Sequence, residues 1–121
     1  ANAIVKVETT ENFERYFEGG HTLTLTTAAG NEFPITAQSD LLFIAPANFT
    51  ISGTATKQAA QSGKEGAVVE LAYDATEVAA QTLYTVKFDV AEAGSATLTI
   101  TLNETLVESI DIDQELNDNA Q

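Results

Sequence analysis

Cysteine, methionine and tryptophan are absent from this chain of 121 residues, histidine occurs once and proline twice. Without Cys there is no disulfide, no thiolate metal site and no cysteine nucleophile. The lack of Met fits a trimmed mature chain or an excised fragment, and equally the loss of an initiator before Ala1. With His21 as the sole imidazole, neither a Ser-His-Asp triad nor a two-His metal site can be assembled within the chain. Its position beside Gly20 leads us to expect a solvent-exposed side chain. Basic side chains are also scarce. Five Lys and Arg face eighteen Asp and Glu, for a net charge of -13. Such a surface repels a nucleic-acid duplex and an anionic membrane alike. The imbalance is concentrated in the second half, where residues 67–121 carry -10 against -3 for residues 1–66. No apolar run approaches the roughly 18 residues of a membrane-spanning helix, and Ala1 to Val7 carries no signal-peptide pattern. A soluble chain with no transmembrane segment is the expectation.

The chain has what one domain needs. Hydrophobic residues make up 44% and charged residues only 19%, a balance that supports a packed core over residues 1–121 as a single domain. Side chains alternate at period two in several segments, which places one class of residue on each face of an extended strand. Tyr84, Val86, Phe88 and Val90 alternate with Thr85, Lys87 and Asp89, and Leu98, Ile100 and Leu102 with Thr97, Thr99 and Thr101. Ala91-Glu92-Ala93-Gly94 between them predicts an antiparallel hairpin. Leu23 and Leu25 alternate with Thr22, Thr24 and Thr26, and the turn Ala28-Ala29-Gly30-Asn31 leads to Phe33-Pro34-Ile35, where Pro34 marks a sheet edge or strand end. Val68 to Tyr73 and Leu106 to Ile112 read as further strands. Leu41 to Ala45 and Phe49 to Thr56 read as two more, with Pro46-Ala47-Asn48 as the turn between them. Because Leu41-Leu42-Phe43-Ile44 is apolar on both faces, we place it in the middle of a sheet, covered on both sides.

Seven or eight strands at turn-bounded spacing predict an all-β fold, an antiparallel β-sandwich of Ig-like or transthyretin-like type. Two stretches depart from the strand pattern. Phe13, Tyr16 and Phe17 at i, i+3 and i+4, with Thr10 as N-cap and Gly19-Gly20 as a stop, predict a helical turn or two near residues 10–18. Gln58 to Gly66 reads as an exposed loop, and residues 116–121 as a frayed tail.

Candidate chemistry is sparse. The serines sit in no nucleophile elbow, and no Gly-rich phosphate loop with a Lys is present. Eighteen acids could supply a glycosidase pair, but they alternate with apolar residues or lie in loops, as solvated charges do, so we expect no enzyme. Asp111, Asp113 and Glu115 share one strand face if that segment stays extended. They read as a wet polar face, and as a metal site they would suit calcium. Tyr16 is the exposed aromatic best placed to meet a ligand such as a glycan, since Tyr73 and Tyr84 fall on apolar strand faces.

The stretches "SDLLFIAPANFTISGTATK" and "TLYTVKFDVAEAGSATLTITLNETLVESIDI" resemble the extracellular β-sandwich domains of Bacteroidetes surface lipoproteins and fimbria-like proteins. Those domains have a strand entry of the form aPGtYtvt followed by a Thr-alternating hairpin. Pro46 to Thr50 stands where that entry falls, with Ala47-Asn48 in place of the usual Gly. The resemblance implies export, attachment to the outer surface through a lipidated Cys that this chain lacks, and a structural or adhesive role with no catalytic residues. The expectation is therefore a non-enzymatic structural or adhesion module of the bacterial cell surface, pilin-like or lipoprotein-borne, with a glycan-binding module as the alternative. Its partners are expected to be other surface proteins, or itself by strand addition through Ile4 to Val7 or Leu106 to Ile112.

Overall fold

Alternation along the chain becomes two stacked sheets. The computed structural model describes residues 1–38, 40–58, 66–91, 96–102 and 105–112, with backbone pairing alone for 105–111. Among these residues, nine strands and one helix run in the order β1 (Ala3–Thr9), α1 (Glu11–Tyr16), β2 (His21–Thr27), β3 (Glu32–Pro34), β4 (Leu42–Ile44), β5 (Phe49–Thr56), β6 (Val68–Ala75), β7 (Leu83–Ala91), β8 (Thr97–Leu102) and β9 (Thr105–Asp111). One sheet has the strand order β4-β1-β7-β8-β9 and the other β3-β2-β5-β6. The molecule is thus an all-β sandwich.

The expected hairpin forms between β7 and β8, with Phe88 opposite Ile100 and Val90 opposite Leu98. In β6 every second residue is buried, from Val69 to Ala75, while Val68, Glu70, Ala72 and Asp74 face water. The core gathers Val5, Leu25, Phe49, Ile51, Val86 and Ile100, among others, from both sheets, while the threonines of β2 and β8 line the outside. Apolar area leaving water drives this stacking. Pro34 lies on the rim of its sheet, in β3, as its missing N–H requires.

Three expectations change. Pairing is antiparallel except between β1 and β7, which run parallel from Ile4 opposite Leu83 to Thr9 opposite Phe88. Strands so far apart in sequence need no tight hairpin between them, so either direction is open. Residues Leu41 to Ile44 do not lie mid-sheet. β4 is a three-residue rim strand paired only with β1, and Phe43 is 59% exposed and Leu41 48%. Only Ile44 points fully inward, so the run is apolar on both faces without being covered on both. Last, Ile4 to Val7 is not a rim strand: β1 lies between β4, which pairs with Ala3 to Val5, and β7, which pairs along Ile4 to Thr9. The segment from Leu106, by contrast, runs in β9, Thr105–Asp111, on the rim. The loop at 92–95, most of the stretch 58–66 and the tail at 116–121 lie outside the described residues.

Candidate functional site

At one end of the sandwich α1 carries the chain from β1 to β2, and its sequence fixes how it sits. The Thr10 hydroxyl accepts the Phe13 N–H at 3.1 Å and donates to Asp89 Oδ1 on β7. This caps the helix and ties it to the sheet in one residue. Phe13 and Phe17 are fully buried, their rings 4.8 Å apart, and Phe13 also meets Phe88 at 6.2 Å. With that face turned inward, Glu14 projects from the other side toward the start of β2. Gly20, at φ +101°, turns the chain there.

His21 follows that turn and is only 25% exposed. Its ring stands edge-on to Phe13 at 5.3 Å and 83°, and Nε2 lies 3.9 Å from Glu14 Oε2. The expectation of a solvent-exposed histidine holds only in part, for a reason of parity. His21 shares the inward-facing register of Leu23 and Leu25, and that register outweighs its glycine neighbour.

The opposite wall comes from the segment joining β3 to β4. The Ile35 N–H donates to the Leu23 carbonyl at 2.9 Å, which extends the β2–β3 pairing. Three residues on, the side-chain amide of Gln38 takes the place of a strand partner for the end of β1. Its Oε1 accepts the Thr9 N–H at 3.1 Å and its Nε2 donates to Thr9 Oγ1 at 3.1 Å. The Thr9 hydroxyl passes its own hydrogen to Glu14 Oε2. This chain from Gln38 through Thr9 holds the carboxylate in one orientation. Val7, Leu23 and Ile35 form an apolar floor beneath, and the whole encloses a cleft of about 310 Å³. Convergent polar groups over an apolar floor are a usual form of small-ligand site, and here the lining is about as polar as it is apolar. The cleft can hydrogen-bond a small polar molecule.

Tyr16 points elsewhere. It is half-buried, packs at right angles on Phe17 at 5.0 Å, and has Lys57 Nζ 5.1 Å from its ring centre, so it shares α1 with Glu14 but not the cleft. Tyr73 and Tyr84 are buried, as their strand faces require. Of the proposed calcium ligands, Asp111 closes β9, but its side chain, together with Asp113 and Glu115, lies outside the described residues. Among the described residues no three His, Asp or Glu side chains gather as a metal site, and no helix is long and apolar enough to cross a membrane. A second cleft of about 260 Å³ lies at the β3–β4 rim between Phe33 and Phe43.

A family model described as a domain of unknown function, DUF4493, matches residues 1–118. No curated protein and no solved structure matches the chain.

Proposed function

We propose that this chain, which belongs to the DUF4493 family, is a non-enzymatic structural or adhesion module of the bacterial cell surface that makes its contacts by strand addition. The observation that carries this reading is β6. It is the longest of the rim strands among the described residues, with eight residues in unbroken register with β5, from Val68 opposite Thr56 to Ala75 opposite Phe49. A rim of that length offers a row of backbone donors and acceptors to an incoming strand. The hydroxyl- and carboxylate-rich outer faces support a domain that stays wet outside the cell. Analytical ultracentrifugation of the purified chain should show association that rises with concentration. A benzoylphenylalanine in place of Ala72 should cross-link two copies, while one in place of Thr24, inside the same sheet, should not. A chain that stays monomeric throughout and gives no cross-link from the β6 position overturns the proposal.

A second reading, glycan capture, is favoured by the cleft between α1 and the β3–β4 segment, where Glu14, His21 and Gln38 converge over an apolar floor. A glycan array separates the two readings, because a purely structural module retains no sugar.

A further inference from the structure

We propose that the Glu14–His21 cleft binds the terminal ring of a glycan or a comparable polyol, with one ligand hydroxyl bridging the Glu14 carboxylate and the His21 imidazole. The inference rests on the glycan-capture reading and gives it a site that excludes Tyr16.

The argument begins with the gap. Glu14 Oε2 and His21 Nε2 stand 3.9 Å apart, too far for a direct hydrogen bond. An oxygen at hydrogen-bonding distance from both fits between them. What sits there must donate to the carboxylate, which only accepts. Toward the imidazole it must either accept or donate, according to which ring nitrogen carries the proton. A hydroxyl gives its single hydrogen to the carboxylate and accepts from the imidazole in the tautomer that carries its proton on Nε2. An ammonium can only donate and so fits the other tautomer, and an anion can only accept and is repelled by a chain of net charge -13.

Preorganisation supports the same assignment. The Glu14 oxygen that faces His21 is already held by the Thr9 hydroxyl, which is held in turn by the Gln38 amide. The carboxylate therefore loses little rotamer freedom when a ligand arrives. The floor of Val7, Leu23 and Ile35 is aliphatic and suits the C–H face of a sugar ring. At about 310 Å³ the cleft is at the small end of ligand sites, enough for one ring and no more.

The test is an ¹H–¹⁵N NMR titration of the full chain with glucose, galactose, mannose and fucose, and separately with butylammonium, run beside a glycan array. At least one sugar should move the amide signals of Thr9, Glu14, His21 and Gln38 together. Glu14→Gln keeps the side chain's shape and should weaken that sugar by roughly tenfold or more, the loss of one charged hydrogen bond. His21→Gln should weaken it as well, and Tyr16→Ala should leave it within about twofold. Sugar-induced shifts around Tyr16 and Lys57 with the cleft silent would overturn this site and leave glycan capture standing. A blank array with no shifts from any sugar removes both. Shifts from butylammonium alone would make the cleft a cation site and overturn the hydroxyl assignment.

Discussion

At the scale of single residues, Thr10 carries more than one role, and its replacement shows how α1 is held. Its hydroxyl accepts from the Phe13 N–H and donates to Asp89, so Thr10→Ala removes a helix cap and a link between α1 and β7 in one step. We expect a loss of about 1–2 kcal/mol in urea unfolding, with Thr10→Ser recovering most of it. An unchanged midpoint would mean that the buried phenylalanines alone hold the helix. Tyr73 sets a different limit. Burial on the inner face of β6 pushes its phenol above the ordinary value of 10.0, because the charged form loses its water. The neutral phenol is favoured in the folded state. Its contribution is therefore complete below the unfolded value and is lost as pH rises through the higher folded value. Urea midpoints measured across alkaline pH should fall above about pH 10, and Tyr73→Phe should reduce that fall. An equal fall in both proteins would place the alkaline weakness elsewhere.

At the scale of elements, β4 shows where side-chain patterning stops being informative. Alternation predicts a strand well when one face is clearly polar, and β6, β7 and β8 lie where their patterns put them. A short run such as Leu41 to Ile44 has no polar face to set its register or its place in the sheet. Its Phe43 stands in water on a rim strand. We therefore expect Phe43→Ser to change stability by no more than about 0.5 kcal/mol, as at an exposed site. Phe13→Ala, inside the core, should lose about 3–5 kcal/mol. Comparable losses from the two, read by the same urea titration, would mean that β4 is covered after all. The cleft was less legible than the strands. The parity of His21 with Leu23 and Leu25 was a local signal of its inward position. The meeting of Thr9, Glu14 and Gln38 was not, because it depends on the β3–β4 segment returning across the end of β1, a contact between residues 29 apart in sequence. The cap at Thr10 and the buried Phe13 and Phe17 were readable because all of them lie within two turns of one another.

At the scale of the whole molecule, charge opposes compactness. Eighteen acids against five bases repel one another more in the folded state than in an expanded chain, and salt screens that repulsion. Among the described residues, two of the opposing attractions are local. Arg15 pairs with Glu11 at 2.9 Å and Lys6 with Glu8 at 3.1 Å, all partly or largely exposed, and exposed pairs of this kind contribute little. Screening should therefore remove more repulsion than attraction, and sodium chloride should stabilise the protein. Between about 10 mM and 500 mM salt, where the Debye length shortens from roughly 30 Å to a few ångströms, we expect the thermal midpoint to rise by about 3–6 °C, corresponding to about 1 kcal/mol for a domain of this size. The same screening acts between molecules. Copies that meet along β6 bring the exposed Glu70 and Asp74 of each toward the other, so salt should also strengthen the association seen by ultracentrifugation. Glu70→Gln with Asp74→Asn should reproduce part of both effects at low salt. If salt stabilises the fold but weakens association, the contact between copies is made by opposite charges, and the β6 rim is not where they meet.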